Sequence, residues 1–482
     1  MAKKQNPLQN LIAHSKEYGF IFPSSDIYDG LSAVYDYGQN GAQLKKNIRD
    51  YWWKSMTQMH ENVVGLDASI FMHPTTWQAS GHLDNFSDPM IDNKDSKKRY
   101  RVDHLIEEKA AKLEAKGKTE KANLLIQKMD ALLKEDDFEG LKKLIEEENI
   151  LCPVSGTGNW TDIRQFNLMF STQVGSVSSD TNELYLRPET AQGIFVNFLN
   201  VRKTARMKIP FGIAQTGKAF RNEIVARQFI FRMREFEQME MQFFVRPGTE
   251  LEWFEHWKTE RVNWHKSLGI NPDNLQFHEH SKLAHYANAA VDIEYKLPIG
   301  FKEIEGIHSR TDFDLSRHQE FSGKKLQYFD PDINKNYIPY VIETSAGLDR
   351  IILMVLSEAY CEEEVPSSKP DKTETRKVMK FDPKLAPIKL AILPLTKKDG
   401  LPEIAKDLFN DCKPYFQCES EIKGSIGKRY RRQDAIGTPF CVTIDHQTKE
   451  DETVTIRYRD SLEQERLPLK AVKDKVFEAI QG

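Results

Sequence analysis

Two segments of alternating polar and apolar residues lie close together near the middle of the chain, at residues 209–220 and 236–245. This alternation is typical of β-strands, because successive side chains of a strand point to opposite faces of the sheet. The loop at residues 224–231 would join the two segments as a long hairpin that carries Arg227. The chain is therefore expected to contain a β-sheet built around this hairpin.

The second predicted strand has two different faces. One face carries Phe236, Gln238, Glu240 and Gln242, and the other carries Met239, Met241, Phe243 and Val245. A strand of this kind covers a hydrophobic core on its apolar side and lines a cleft on its polar side. On the first strand, Arg221 and Glu223 are expected to share one face.

The hairpin region is basic although the chain is acidic overall, with a formal net charge of -4. Between residues 202 and 234 there are nine lysines and arginines against one acidic residue. Such a segment is a candidate site for a polyanion, although a basic surface stripe accounts for the charge equally well.

Composition changes in two other regions. Residues 104–150 are rich in Lys, Glu, Ala and Leu with apolar residues at helical spacing, which predicts a helical insertion. Its charges are interpreted as a solvated helical face rather than as an RNA contact. A further helix is predicted at residues 44–59, and residues 361–384 are polar, contain prolines and lack periodicity, which indicates a surface connection and a domain boundary.

The 482 residues predict two to four domains at about 150 residues each. After the connection, strands are predicted at residues 388–395, 440–444 and 454–458, with helices at 401–410 and from 469 onward. This mixture predicts a small α/β domain at the C-terminal end.

Several classes of protein are excluded by the sequence. The longest apolar run, residues 351–356, is far shorter than the roughly 20 residues of a membrane-spanning helix. Polar residues follow Lys3 and Lys4 where a secretory signal would be apolar, so a cytoplasmic protein is expected. The five cysteines form no C-x-x-C pair, which argues against a disulfide framework, and no G-x-x-x-x-G-K-[ST] loop is present.

Motifs in the hairpin and near residue 350 resemble those of a known enzyme class. FRNE at residues 220–223 followed by RMREF at 232–236 resembles motif 2 of class II aminoacyl-tRNA synthetases, and IETSAGLDR at 342–350 resembles motif 3. The resemblance narrows to glycyl-tRNA synthetases of the single-chain, homodimeric type through LRPETAQG at 186–193, REFEQME at 234–240, SRTDFDL at 309–315 and ETSAG at 343–347. It covers nearly the whole chain.

The resemblance implies an α+β fold, with a class II synthetase-like antiparallel sheet flanked by helices, a helical insertion and a C-terminal α/β anticodon-binding domain. The expected domains are residues 1–90 as the first part of the catalytic domain, 91–160 as the insertion, 161–370 as the catalytic core and 385–482 as the anticodon-binding domain. The implied activity is ATP-dependent attachment of glycine to tRNA(Gly) through a glycyl-adenylate, with Mg²⁺ accompanying ATP. Members of the family are homodimers, so a second copy of the chain is an expected partner.

Two arginines are the implied catalytic residues, Arg221 and Arg350. A planar guanidinium holds phosphate and carboxylate oxygens bidentately, and Arg350 falls in the first turn of a predicted helix, where backbone amides favour anions. By resemblance Glu223 accepts a hydrogen bond from adenine, Phe236 stacks on it, and Arg232 and Arg350 hold the outer phosphates. The implied ATP-binding residues are Arg221, Asn222, Glu223, Phe231, Arg232, Phe236, Glu303, Ile304, Gly347 and Arg350.

Glycine offers no side chain to recognise, so its pocket must exclude larger amino acids. The family uses a small acidic pocket in which carboxylates hold the ammonium group. The matching residues are Arg101, Glu189, Phe236, Glu240, Arg310, Glu343 and Ser345. Strand alternation places Glu343 and Ser345 on one face, so both can reach one ligand.

Metal ligation is not expected from the cysteines. Many relatives carry cysteine pairs after an F-x-D-P segment and in a C-P-x-C run, whereas residues 88–95 have none and only Cys152 remains of the second pair. One cysteine cannot build a tetrahedral thiolate site, so no structural zinc is expected. His278 and His280 are interpreted as surface or packing residues, and Glu303 and Glu305 as solvated acids rather than Mg²⁺ ligands.

A basic cluster in the C-terminal domain is the predicted contact for the anticodon stem. It comprises Lys428, Arg429, Arg431 and Arg432, with Lys423 and Tyr430 nearby, and is interpreted as an exposed turn. Residues 385–482 as a whole contain 17 basic and 16 acidic residues, so this cluster is the obvious basic feature of a nearly neutral domain.

Two alternatives remain open. The first is an RNA-binding or accessory protein that keeps the synthetase fold without catalysis. Such a protein should lack the ATP-binding residues, whereas Arg221, Glu223, Phe236 and Arg350 are all present here. The second is a class II synthetase for another small amino acid, against which Glu189, Glu240 and Glu343 argue because they leave little room for a side chain.

Overall fold

The structure is a computed structural model that describes residues 7–174, 182–223, 228–280, 283, 287–366 and 373–481. The chain divides into two compact units. The first unit comprises Met1–Ala68, Thr190–Lys218 and Gln228–Gly482, and the second comprises Ser69–Glu189 and Ala219–Arg227.

The α-helices of the described residues are distributed along the whole chain. They are α1 (Pro7–Glu17), α2 (Gln39–Thr57), α3 (Pro74–Ala79), α4 (His82–Asn85), α5 (Val102–Glu114), α6 (Thr119–Lys134), α7 (Phe138–Glu147), α8 (Ala191–Val196), α9 (Phe198–Thr204), α10 (Glu250–Ser267), α11 (Phe313–Ser322), α12 (Leu348–Ala359), α13 (Leu401–Cys412), α14 (Ile426–Ile436), α15 (Thr448–Asp451) and α16 (Val472–Gln481). Single 3₁₀ turns lie at Asp26–Tyr28, Phe229–Phe231, Pro272–Asn274 and Leu469–Ala471.

The strands of the same residues are mostly short. They are β1 (Ile21–Pro23), β2 (Tyr35–Tyr37), β3 (Val63–Gly65), β4 (Ser87–Asn93), β5 (Lys98–Arg101), β6 (Arg164–Asn167), β7 (Ser171–Val174), β8 (Asn182–Tyr185), β9 (Phe211–Phe220), β10 (Glu235–Val245), β11 (Leu275–Glu279), β12 (Ala289–Leu297), β13 (Gly300–Thr311), β14 (Tyr328–Asp330), β15 (Lys335–Tyr337), β16 (Tyr340–Gly347), β17 (Tyr360–Pro366), β18 (Thr373–Met379), β19 (Leu390–Pro394), β20 (Cys418–Ser420), β21 (Phe440–Ile444), β22 (Thr453–Tyr458) and β23 (Gln464–Pro468).

A seven-stranded sheet forms the centre of the first unit, in the order β11-β12-β13-β16-β10-β9-β3. The pairs β11–β12, β12–β13, β13–β16 and β10–β16 are antiparallel, and β3 runs parallel to β9. The two strands expected from alternation are confirmed as β9 and β10, which lie side by side. The predicted antiparallel sheet is thus present.

Three helices cover the apolar face of this sheet. Met239, Met241 and Phe243 of β10 pack in one buried cluster with Trp52 of α2, Trp257 of α10 and the apolar residues of α12, among them Leu348, Ile351, Ile352 and Val355. The predicted division of β10 into an apolar and a polar face is therefore confirmed. The opposite face keeps Gln238, Glu240 and Gln242, which are buried.

One strand boundary differs from the prediction. Strand β9 ends at Phe220, so Arg221 and Glu223 do not lie on a strand. The backbone turns away because the amide of Phe220 donates to the carbonyl of Arg187 and the amide of Asn222 donates to that of Leu168. Residues 224–227, including Arg227 of the expected hairpin loop, lie outside the described residues.

The predicted helical insertion is confirmed in the second unit. Helices α5, α6 and α7 share a hydrophobic core with Ile91 of β4 and with Trp160. Leu105, Leu125 and Leu141 contribute one buried side chain from each helix. The charged residues of these helices are therefore left on the outer side of a small independent core.

The expected irregular connection at residues 361–384 is wrong in part, because β17 and β18 pair there as an antiparallel hairpin. Arg376 of β18 is fully buried, and its Nε lies 2.8 Å from Asp434 Oδ2 while its Nη1 lies 2.9 Å from Glu363 Oε2. Residues 367–372 lie outside the described part.

The small α/β domain is confirmed after this hairpin. Its sheet has the order β20-β19-β21-β22-β23, with β19 parallel to both β20 and β21. Leu390, Val442 and Ile456 from the sheet pack with Leu401 of α13 and Val472 of α16.

Two further findings concern the whole described chain. None of its helices combines the length and the apolar composition required to cross a membrane. All five cysteines are free thiols.

A buried ionic cluster ties the central sheet to α10. Glu305 of β13 is fully buried, with Arg261 Nε 2.6 Å from its Oε1 and His265 Nε2 2.7 Å from its Oε2. Burial opposes ionisation of Glu305, but the Arg261 guanidinium and the hydrogen bond with His265 lower its pKa to about 2. Burial lowers the pKa of His265, so a neutral imidazole donates this hydrogen bond. The expectation that Glu305 is solvated is therefore wrong.

We expect this cluster to make stability sensitive to acid. The folded-state pKa of Glu305, about 2, lies below the unfolded value of about 4.3, so the stabilisation is complete above that value and is lost as the pH falls towards 2. The loss should be on the order of 3 kcal/mol. Denaturant unfolding between pH 7 and pH 3 should show the advantage of the wild type over Glu305→Gln shrinking below about pH 4.3. The exposed acid Glu279 supplies the control, and Glu279→Gln should follow the wild type at every pH.

Candidate active site

Polar side chains of β10 and β16 face each other at the centre of the main sheet. Glu240 lies opposite Ser345, and Gln242 lies opposite Glu343. The amide of Gln242 donates to both carboxylates, at 2.8 Å to Glu240 Oε1 and 2.7 Å to Glu343 Oε2. Glu240 and Glu343 are only 2% and 5% exposed. Two buried carboxylates are thus linked through one neutral amide.

The carboxylate of Glu343 is held from several directions. Arg310 Nη1 lies 3.0 Å from its Oε2, and His308 Nδ1 lies 3.0 Å from its Oε1. Arg310 also binds Asp314 of α11, at 2.8 Å and 3.1 Å. Glu343 is therefore a fixed carboxylate that shares the buried guanidinium of Arg310 with Asp314.

Glu240 is fixed by hydroxyl and amide donors. The hydroxyl of Thr190 donates to its Oε2, and Gln242 binds its Oε1. Next to this pair, Gln238 Nε2 lies 3.3 Å from the hydroxyl oxygen of Ser345. The structure thus brings together four of the predicted glycine-binding residues, Glu240, Arg310, Glu343 and Ser345. Such an arrangement of buried acceptors is suited to a small cation such as an ammonium group.

Gln242 and His308 were missed as site residues by sequence reasoning. Strand alternation carried a usable signal for Gln242, because it shares a face with Glu240. His308 required the pairing of β13 with β16, which places it opposite Glu343.

The helix α12 begins at Leu348, so Arg350 lies in its first turn as predicted. Arg350 Nη1 lies 3.0 Å from Glu303 Oε2 and 3.2 Å from the Glu303 carbonyl oxygen, and its guanidinium stacks 4.5 Å from the centre of the Phe231 ring. Three predicted ATP-binding residues therefore meet at the end of motif 3. Ile304 is fully buried in the main core, so only its backbone is available to a ligand.

The residues beside Phe236 and Arg350 are joined by a buried polar network. The backbone amide of Glu237 donates to Asp349 Oδ2 at 2.7 Å. Lys45 of α2 bridges the side chains of Glu237 and Asp349, with its Nζ 3.1 Å from Glu237 Oε2 and 3.2 Å from Asp349 Oδ1. The hydroxyl of Tyr37 also donates to Asp349, and burial raises the pKa of Tyr37 well above its usual value. These contacts hold β10 and α12 against α2.

Three further predicted site residues, Arg221, Glu189 and Arg101, lie in the second unit. Arg221 Nε donates to the carbonyl oxygen of Pro188 at 3.0 Å, and its guanidinium lies 5.6 Å from the centre of the Phe86 ring. Glu189 Oε2 lies 3.4 Å from His82 Nε2. Arg101 Nη1 lies 3.1 Å from Asp88 Oδ1, and a second contact joins Arg101 to Asp103.

The C-terminal basic cluster differs from the prediction of an exposed turn. It lies on α14, and Arg429 is only 1% exposed. The Nη1 of Arg429 donates to the carbonyl oxygens of Pro394 and Glu421 at 2.8 Å and 2.9 Å, and burial lowers its pKa. Arg431 pairs with Glu374 and Arg432 pairs with Glu421. The expectation that Arg429 is exposed is therefore wrong.

Cys152 is buried among hydrogen-bonding groups. Its Sγ lies 3.2 Å from the Tyr100 hydroxyl, 3.3 Å from the Ser96 hydroxyl and 3.5 Å from the Ser155 amide nitrogen. Burial raises the pKa of Cys152, but these hydrogen bonds outweigh burial and lower it to about 6.

Three family models match the chain. The tRNA synthetase class II core domain (G, H, P, S and T) matches residues 172–359. The glycyl-tRNA synthetase insertion domain 1 matches residues 88–124 and 117–168, and the anticodon binding domain matches residues 389–478.

The chain is similar to whole proteins over nearly its full length. The glycine–tRNA ligase of Chlorobaculum tepidum is 54% identical over 462 residues, which is 95% of this chain and 97% of the relative. That of Treponema denticola is 51% identical over 464 residues, 96% of this chain and 94% of the relative. The structure of prolyl-tRNA synthetase from Cryptosporidium parvum, complexed with L-proline and AMP, shares the fold with a TM-score of 0.59 at 11% identity, covering 98% of this chain and 74% of the other. The chain therefore belongs to the glycine–tRNA ligase family, within class II of the aminoacyl-tRNA synthetases.

Proposed function

We propose that this chain attaches glycine to tRNA(Gly) with ATP, through a glycyl-adenylate intermediate. The observation that carries the proposal is the buried pair Glu240 and Glu343, bridged by Gln242 on the polar face of the main sheet. Similarity over 95% of the chain to a glycine–tRNA ligase supports the same activity.

Selection of glycine rests on a cation site with little space. Glu240 and Glu343 hold the ammonium group, with Ser345 beside them. Because Gln242 and Arg310 fix both carboxylates, the pocket does not widen for a larger amino acid at low cost. Arg101, Glu189 and Phe236 complete the proposed glycine-binding set.

Adenylate formation requires alignment and charge neutralisation rather than a general base. A glycine carboxylate oxygen attacks the α-phosphorus of ATP, the new O–P bond forms, and the bond to the β-phosphate breaks to release pyrophosphate. Arg221 holds the α-phosphate and the carboxylate, and Arg350 and Arg232 hold the outer phosphates. A tRNA ribose hydroxyl then attacks the carbonyl carbon and AMP leaves.

The remaining ATP-binding residues hold the adenine and the rest of the nucleotide. Glu223 accepts from the adenine amino group, and Phe236 and Phe231 provide ring surfaces. Asn222, Glu303, Gly347 and the backbone of Ile304 complete the nucleotide-binding set. Mg²⁺ enters with ATP and neutralises phosphate charge.

The anticodon stem is assigned to the C-terminal domain, residues 385–482. The cations on α14 that contact the tRNA are Lys428, Arg431 and Arg432. Arg429 instead holds the helix in place through hydrogen bonds to the carbonyl oxygens of Pro394 and Glu421. Residues 1–90 and 161–370 form the catalytic domain, and residues 91–160 form the insertion.

The proposed assembly is a homodimer that works in the cytoplasm. By resemblance to the family, the dimer contact is assigned to the region around residues 44–53 of α2. Free thiols at all five cysteines are consistent with a reducing compartment.

The activity is tested by ATP–pyrophosphate exchange with each standard amino acid in the absence of tRNA. Exchange with glycine alone is expected, followed by charging of tRNA(Gly) when the tRNA is added. Exchange with alanine or serine in place of glycine would contradict the pocket, and no exchange with any amino acid would favour the accessory RNA-binding protein.

A further inference from the structure

Three potential metal ligands converge on neighbouring strands of the main sheet. His280 directly follows β11, Asp292 lies on β12 and His308 lies on β13. Each offers one ligand atom, and the three atoms lie within 4.8 Å of one another. The pairing of Asp292 with Gly306 places Asp292 and His308 next to each other on one face of the sheet.

His280 and Asp292 lie close together but are poorly aligned for a hydrogen bond. Nε2 of His280 lies 3.0 Å from Asp292 Oδ2, but this nitrogen is buried and has no hydrogen-bond partner among the described residues. Asp292 is itself 9% exposed. A close but misaligned nitrogen and oxygen are expected when both point to a shared third atom instead of to each other.

His308 has the surroundings of a metal-binding histidine. Its Nδ1 lies 3.0 Å from Glu343 Oε1, so Nδ1 donates its proton to the carboxylate and Nε2 is the ring nitrogen left for a metal ion. Histidine ligands in metal sites usually donate their second ring N–H to a carboxylate in this way.

Gly306 provides the space for such a site. A Cβ atom at Gly306 would lie 2.8 Å from His308 Cε1 and 3.6 Å from Asp292 Oδ1. Any side chain here would press on the histidine ring and crowd the gap between the two ligands. The glycine therefore keeps the gap open.

We propose that His280, Asp292 and His308 bind a transition-metal ion, with Zn²⁺ the best match. Two imidazoles and one carboxylate suit Zn²⁺, whereas Mg²⁺ and Ca²⁺ select oxygen ligands. Bonds of about 2.0–2.1 Å require the three ligand atoms to draw closer together than 4.8 Å when the ion binds. The earlier interpretation of His280 as a surface or packing residue is replaced.

An ion bound to His308 would help to orient Glu343 through the hydrogen bond from His308 Nδ1. That consequence rests on the proposed function, because Glu343 matters there as a glycine ligand. The metal site itself does not rest on it, since its ligands are assigned from geometry alone.

The test measures Zn²⁺ binding to the full chain after removal of metals with a chelator. All variants carry Cys152→Ser, so that the thiol of Cys152 does not contribute. Competition with a chromophoric chelator should give about one Zn²⁺ per chain, and the visible spectrum with Co²⁺ should be that of a four-coordinate ion. His280→Ala and His308→Ala should each weaken Zn²⁺ binding at least tenfold.

His278 supplies the matched control, because it is an exposed histidine on β11 whose ring centre lies 5.4 Å from that of His280. His278→Ala should bind Zn²⁺ as tightly as the parent. Equal binding by the parent and by the double variant His280→Ala/His308→Ala would overturn the proposal, as would an equal loss in His278→Ala. Circular dichroism of each variant shows that a loss of binding is not a loss of folding. Glycine-dependent exchange is measured separately, so failure of the metal site and failure of the proposed activity are distinguishable.

Discussion

Replacing Arg221 by lysine should lower glycine-dependent ATP–pyrophosphate exchange about a hundredfold to a thousandfold. The reacting groups are planar or tetrahedral oxyanions, and a guanidinium binds two of their oxygens at once. The Nε–H of Arg221 donates to the Pro188 carbonyl, and the guanidinium lies against the Phe86 ring, so its orientation is set before substrate arrives. Lysine keeps the charge but loses this orientation and the second donor.

The loss should appear mainly in kcat, because the contact strengthens as charge shifts towards the transition state. Initial exchange rates at saturating glycine and ATP measure it. Arg99 offers a matched control in the same unit, since it binds Asp92 bidentately at 2.7 Å and 3.0 Å on the surface. Arg99→Lys should leave exchange unchanged. If Arg221→Lys retains exchange within about threefold of the wild type, the proposed role is wrong.

Local pattern was enough to predict the elements that carry the motifs. The alternation in β10 depends only on which residues face the core, and the same holds for the apolar residues of α12. The end of β9 was not predictable in this way. The end of this strand is determined by hydrogen bonds to the backbone of Arg187 and Leu168. Both residues are distant in sequence, so the residues around Arg221 give no indication of these bonds.

The burial of charged side chains was a second feature that the sequence did not predict. Arg376 and Arg429 look like solvated arginines, yet both are buried. Arg376 is held by Asp434, 58 residues further along the chain, and Arg429 by backbone carbonyl oxygens. A basic residue in a polar segment is more often exposed, so only the tertiary partners distinguish these two.

The candidate glycine site shows the same division. Parity along β16 placed Glu343 and Ser345 on one face, and the structure has them there. The bridge from Gln242 and the contact with His308 depend on the register between strands, which one sequence does not specify.

Replacing Glu343 by glutamine should reduce glycine activation about a hundredfold to a thousandfold, chiefly as a higher KM for glycine. Both carboxylate oxygens accept hydrogen bonds, Oε1 from His308 and Oε2 from Arg310 and Gln242. An amide has one acceptor, so its NH₂ group must face a donor. The charge that would hold the ammonium group is also lost, and removing one partner of a buried ion pair costs about 3–5 kcal/mol.

The effect of Glu343→Gln on glycine binding must be measured separately from its effect on folding. Part of the cost falls on stability, because Arg310 loses its 3.0 Å ion pair with Glu343 while it keeps the one with Asp314, so thermal unfolding is recorded alongside exchange. Glu294→Gln is the control, as Glu294 lies on β12 of the same sheet and binds Gln276 at 2.7 Å near the surface. Glu294→Gln should change neither the KM for glycine nor the KM for ATP.

Two outcomes for Glu343→Gln would contradict the proposed role. An unchanged KM for glycine would exclude Glu343 as a glycine ligand. An equal rise in the KM values for glycine and ATP would mean that Glu343 acts only by keeping the sheet in shape. A rise confined to the KM for glycine is expected, because the contacts of Glu343 lie among the residues proposed to bind glycine, while Arg350 and Phe231 meet elsewhere in the first unit.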